Sequence, residues 1–146
     1  MSLRHLLVAF AFLAATTVVN AVGNDEAKSK HPDWEPAMEA IRGKEWTVAI
    51  DRLQAVVRNE PDNADAQNWL AYAYRKQGNL PRAFEHYRIA LKLDPEHRGA
   101  HEYIGEAYLA AGDKAKAREH LAILARLCKQ ECEEYRDLAK AIAAAP

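Results

Sequence analysis

A 34-residue interval separates Pro61 from Pro95, Ala49 from Ala83, and Ala83 from Ala117. Tyr74 and Tyr108 keep the same interval, as do Gly78 and Gly112. Four series sharing one period mark a tandem array, in which each unit buries its apolar face by stacking on the next. The units run Lys30–Asn63, Ala64–His97 and Arg98–Glu131. In each, apolar residues recur at helical spacing on both sides of a turn, so a unit is a pair of short amphipathic helices. In the second unit Trp69, Leu70 and Tyr74 precede the Gly78-Asn79 turn. Asn79 is placed to cap a helix opening at Leu80-Pro81, which Asp94-Pro95 ends. The third repeats the scheme with Tyr103, Ile104 and Tyr108, then Gly112-Asp113, then Ala117, Leu121 and Leu124. In the first, Asp33 is placed to cap a helix with Pro36 in its first turn. Ala71 and Gly105 share one equivalent position, and Ala49, Ala83 and Ala117 another. Small side chains there let paired helix axes approach closely.

Residues Cys132–Ala145 keep the register of one more first helix. Tyr135, Leu138, Ala139 and Ile142 take the apolar places, while Glu133, Glu134, Arg136, Asp137 and Lys140 are polar. A helix of this kind covers the bare apolar face that ends a stacked array. The chain is therefore read as all-α, with seven helices.

The set Leu70-Ala71, Tyr74, Gly78, Ala83, Tyr87, Ala90 and Pro95 resembles the motif of the tetratricopeptide repeat (TPR) family. The third unit matches at Ile104-Gly105, Tyr108, Gly112, Ala117, Leu121 and Leu124, with Lys129 in place of the proline. The first matches at Trp46, Ala49, Leu53 and Pro61, with Pro36 and Ala40 where large residues are usual. The resemblance covers about three quarters of the chain. It implies an α-solenoid of three helix-turn-helix units plus a C-terminal capping helix, spanning residues 32–145, with a ligand held in the groove lined by each unit's first helix. Carried onto this sequence, the groove residues are Trp34, Met38 and Arg42, then Asn68, Tyr72, Arg75 and Lys76, then Glu102, Glu106 and Leu109. Trp69 and Tyr103 sit one residue along, either in the lining or in the core between units. The groove so drawn has an aromatic–thioether end, a basic middle and an acidic end. Aromatics and arginine anchor interfaces, and segregated charge fixes a ligand's direction. The bland alternative is packing for Trp34 and Tyr72 and solvation for the charges. TPR domains that hold chaperone C-termini use Lys, Asn and Arg to clamp a carboxylate. Those positions hold Trp34, Met38, Trp69, Gly99 and Tyr103 here, so no such receptor is implied.

Ahead of the repeats, residues 1–21 read as a signal peptide. Arg4 and His5 give a short positive start, Leu6–Val19 is a 14-residue run of apolar residues and Thr, and Val19-Asn20-Ala21 offers small residues for cleavage after Ala21. The run is short of the ~20 residues that span a bilayer, so no membrane insertion is expected after cleavage, a retained anchor being the alternative. Residues 22–31 are polar and aperiodic, a flexible lead-in. Export is expected, and a short signal ahead of a solitary repeat array favours a bacterial periplasm.

Of 146 residues, 49% are hydrophobic and 28% charged, with 20 Lys+Arg against 21 Asp+Glu for a net charge of −1. That is the balance of one globular domain and not of a basic nucleic-acid binder. Cys128 and Cys132 straddle the turn before the capping helix, where their side chains can converge. In an exported protein they read as a structural disulfide, with thiol exchange or metal binding as alternatives; the spacing is C-x-x-x-C, not C-x-x-C. His86 and His120 are 34 apart and could neighbour each other, and His97 and His101 span the turn into the third unit, but no carboxylate or thiolate set completes a metal site. No Gly-rich phosphate loop, G-x-S-x-G or H-E-x-x-H occurs, so neither an enzyme nor a cofactor is indicated. The expected function is a non-enzymatic adaptor or scaffold of the cell envelope that binds a protein or peptide in its groove. A thiol-redox or metal-handling protein acting through Cys128 and Cys132 is the alternative, and a self-associating spacer a third.

Overall fold

A computed structural model describes residues 29–146. The predicted signal and the lead-in as far as residue 28 lie outside the described residues. Seven helices follow one another: α1 (Trp34–Arg42), α2 (Trp46–Asn59), α3 (Ala64–Lys76), α4 (Leu80–Leu93), α5 (Arg98–Ala110), α6 (Lys114–Cys128) and α7 (Glu133–Ala144). Helices α1, α3 and α5 form one layer and α2, α4 and α6 the other, with α7 laid against both α5 and α6. No helix among the described residues is long and apolar enough to cross a membrane.

Capping explains where the helices start. Asn79 accepts from the Arg82 N–H and Asp113 from the Lys116 N–H, one repeat apart, while Asn63 accepts from the Ala66 N–H. The expected Asp33 cap does not form; that carboxylate instead pairs with Arg52 at 2.7 Å, across to α2. Within each unit the turn needs one residue with positive φ. Gly78 (91°) and Gly112 (81°) supply it cheaply, and Lys44 (58°) occupies the same place in the first unit.

The small positions hold the layers together. Ala37, Ala71 and Gly105 form one equivalent series and Ala49, Ala83 and Ala117 another, and all five of the alanines are fully buried. Gly105 is the tightest of them: a Cβ there would lie 2.7 Å from Leu138 Cδ2 and 2.8 Å from Cδ1. The capping helix therefore docks on α5 through a gap only glycine leaves open. Leu138 is fully buried, and with Ala117, Leu124 and Ile142 it makes a second core cluster beyond the main one.

The capping helix starts one residue later than the repeat register gives. Lys129 (φ 51°) and Gln130 (φ 68°) make a left-handed reversal where Pro61 and Pro95 serve the earlier units. Cys132 is thus the residue before α7, and not its first residue. Cys128 ends α6, and the two sulfurs lie at bonding distance across the reversal, with Cα atoms 5.7 Å apart. Such a short loop contributes about 2 kcal/mol through chain entropy.

Candidate functional site

The inner layer carries an aromatic and cationic cluster. Tyr72 of α3 lies at its centre, with ring centroids 5.5 Å from Trp69, 4.9 Å from Tyr103 and 6.1 Å from Trp46. The Arg75 guanidinium sits over Tyr72 and Tyr103, 5.2 and 5.8 Å from their centroids, and pairs with Glu106 at 2.6 Å. Lys76 reaches over Trp46 and Tyr72. All four rings keep part of their surface open to solvent. Helical spacing on α3 puts residues 69, 72, 75 and 76 on one face, and the stack of α3 on α5 brings Tyr103 and Glu106 beside them.

Towards the start of the same helices this surface deepens into a cleft of about 220 Å³ between α3, α5 and α7. Asn68 and Glu102, repeat-equivalent residues, form its buried floor at 3% and 9% exposure. Trp69 and Tyr103 flank it, and Glu133, Glu134 and Asp137 enter from the capping helix. Burial first, then Glu106, Asp137 and Glu134, push the Glu102 acid up to about 8, with Arg75 acting the other way. The Asn68 Oδ1 is buried with no hydrogen-bond partner among the described residues.

Of the residues projected onto the groove, Tyr72, Arg75, Lys76 and Glu106 come together as the cluster, and Asn68 and Glu102 as the cleft floor. Trp34 does not belong to either. It is 5% exposed and belongs to the main core cluster with Ala37 and Ala40 of the same short helix. Leu109 packs in the second core cluster, covered from the α7 side. Met38 packs against the main core, and Arg42 is exposed at the end of α1. Trp69 and Tyr103 line the site and pack on the core at once. Trp46 and the acids of α7 were not expected here. An aromatic at the exposed opening of α2, where the later units have Leu80 and Lys114, was the available sign for Trp46.

The histidines form a different pattern from the one the period suggested. His86 and His120 do not pair with each other. His86 Nδ1 contacts Gln67 Oε1 at 2.8 Å and stacks on Tyr74, while His120 Nδ1 contacts His101 Nδ1 at 2.9 Å and stacks on Tyr108. These are the same arrangement one repeat apart, and each ends on a proline carbonyl, Gln67 to Pro61 and His101 to Pro95. The Pro95 oxygen can only accept, so His101 donates through Nε2 and accepts at Nδ1 from His120. Protonating His101 at Nδ1 sets two donors face to face, whereas a proton on His120 goes to Nε2, away from the contact. Burial lowers the His101 pKa, and burial followed by His101 takes His120 down to about 4. Below pH 6.5 the unfolded chain takes up protons that this pair refuses, so its stability contribution falls progressively towards pH 4. His101→Gln recreates the Gln67–His86 arrangement. Chemical denaturation should show the variant gaining on wild type by about 1 kcal/mol between pH 7 and pH 4.5, after allowance for solvent at the partly open His120; parallel pH curves would contradict this reading. Among the described residues no three His, Cys, Asp or Glu side chains are placed to hold one metal ion together.

The model of the tetratricopeptide repeat family matches the sequence twice, over residues 37–95 and 74–131. No curated protein matches at a significant level. Solved structures share the fold. The TPR2B domain of yeast Sti1, in its complex with pHsp70, has a TM-score of 0.70 at 20% identity, covering 77% of this chain and 92% of that domain. The first TPR of Spaghetti (RPAP3) bound to the HSP90 peptide SRMEEVD gives 0.65 at 19% identity, covering 75% and 90%. The type III secretion chaperone SycD of Yersinia enterocolitica, in complex with a peptide of the translocator YopD, gives 0.67 at 16% identity, covering 77% and 86%.

Proposed function

Since the chain belongs to the tetratricopeptide repeat family, we propose that it is a non-enzymatic adaptor of the cell envelope, exported to a bacterial periplasm, that holds a segment of another protein against its inner layer. The observation carrying this reading is the Trp46–Trp69–Tyr72–Tyr103 cluster with Arg75 and Lys76 over its rings. Four partly open rings gathered on one surface, backed by arginine, have the composition of an interface hot spot. Two of the similar folds are bound to peptides and a third is in complex with pHsp70, which supports a segment as the ligand. The charge differs from a carboxylate clamp. Glu102, Glu106, Glu133, Glu134 and Asp137 make one end of this surface acidic, which disfavours an acidic tail there. The N-terminal signal read from the sequence supports the envelope location.

Replacing Tyr72 with alanine tests the surface. The ring is partly open, so the fold should survive with its melting temperature lowered by a few degrees, while affinity for the bound segment falls at least tenfold. Undiminished binding by Tyr72→Ala would place the partner elsewhere.

A further inference from the structure

The cleft between α3, α5 and α7 has a chemistry of its own. Some of its acids have an ordinary explanation. Asp65, Glu133 and Glu134 stand in the first turns of α3 and α7, where negative charge is favourable, and Asp65 also pairs with His97 at 2.9 Å. Glu134 lies 3.6 Å from Arg98. Glu102 lies a turn deeper in its helix and has no such reason to be acidic; Asp137, at the same place on α7, is exposed at the cleft edge. Glu102 is 9% exposed, and among the described residues none makes a hydrogen bond or ion pair with it. The second observation is independent of charge: Asn68, 3% exposed and part of the same floor, leaves Oδ1 without a donor. Once ionised, Glu102 is an acceptor in the same floor as the Asn68 carbonyl oxygen, and each then costs free energy until a donor arrives. Trp69 and Tyr103, with centroids 6.0 Å apart, add aromatic surface on the flank.

Donors without acceptors, positive charge and a flat face that packs on aromatic rings are together the properties of a guanidinium group. The volume of about 220 Å³ is below the ~300 Å³ at which small-molecule sites begin, and suits one long side chain. We propose that this cleft receives an arginine side chain of the bound protein segment, with Glu102 and Asp137 as its counter-charges, Asn68 Oδ1 as a neutral acceptor, and Trp69 and Tyr103 beside its planar head. This rests on the inner layer being the binding surface, and it adds a requirement: the segment carries a basic residue at the α7 end. The other charges facing Glu102 are Arg75 from α3, Glu106 on α5 and Glu134 on α7. An entering guanidinium displaces the proton from Glu102 and stabilises the carboxylate there, so the balance of charge in the cleft improves on binding.

The test is a titration of the purified protein with acetyl-Gly-Arg-Gly-amide and with its citrulline counterpart, which keeps the shape and loses the charge. The side-chain amide of Asn68 and the indole of Trp69 are followed by NMR. The arginine peptide should give a saturable shift at both groups, the citrulline peptide should bind at least tenfold more weakly, and Glu102→Gln should remove the response while remaining folded. Equal responses to the two peptides, an unaltered response in Glu102→Gln, no shift at Asn68 and Trp69, or the same shifts produced by calcium alone would each overturn the assignment. A segment contacting Tyr72 in a protein whose Asn68 and Trp69 ignore arginine would sink this assignment and leave the adaptor reading standing.

Discussion

Glu102→Gln is expected to stabilise the protein by about 2–3 kcal/mol at pH 8 and by almost nothing at pH 4.5. The folded acid titrates at about 8 and an unperturbed glutamate at 4.5. Across that window the folded chain holds a proton that the unfolded chain has already lost. Wild-type stability from this group therefore declines as pH rises, and glutamine, which does not ionise, is spared the decline. The full shift corresponds to more than 4 kcal/mol, reduced here because the amide of glutamine also needs partners and neighbouring acids can relax. Urea denaturation of both proteins at several pH values measures the difference. Curves that coincide at pH 8 would mean that the acid is not strained by its surroundings. A residue that lowers stability while facing a cleft is characteristic of a binding position, where a bound partner supplies the missing counter-charge.

The second large effect concerns the capping helix. Leu138→Ala should cost 2–5 kcal/mol, since the side chain is fully buried and its cavity cannot collapse between α5 and α6. Gly105→Ala should cost about 1–2 kcal/mol, the overlap with Leu138 being partly offset by alanine's better helix propensity. Combined, the alanine methyl enters space that the leucine vacates. The double variant should therefore be more stable than Leu138→Ala alone, with a coupling of about 1–3 kcal/mol. Thermal unfolding of the four proteins in the cycle provides the measurement, and strict additivity would show that α7 does not dock through this contact.

Fold and site differ in how far they could be read from residues. The 34-residue period carried the helix pairs, the caps at Asn79 and Asp113 and the capping helix, because stacking forces equivalent residues into equivalent surroundings. It could not carry neighbour relations. Trp69 and Tyr103, equivalent residues of the inner layer, do meet, yet His86 and His120 in the outer layer each contact a residue 19 earlier in their own unit, Gln67 and His101. Trp34 departs from the register for a different reason: the family pattern puts position 34 in the groove, but on a helix whose other buried residues are the small Ala37 and Ala40 the indole joins the core, the packing alternative that the sequence left open. The acid-rich end of the site depends on where α7 lands. That is set by the left-handed pair Lys129-Gln130 and by the glycine gap at 105, neither of which has a period to announce it.

The central claim, that a partner segment lies against the inner layer, is tested most directly by site-specific photo-crosslinking in the native host. One probe replaces Tyr72 and a control replaces Arg88, exposed on α4. A discrete adduct at Tyr72 with none at Arg88 is the expected result, and mass spectrometry of that adduct would identify the segment and its basic residue. Adducts at Arg88 alone, or at neither position, would contradict the claim.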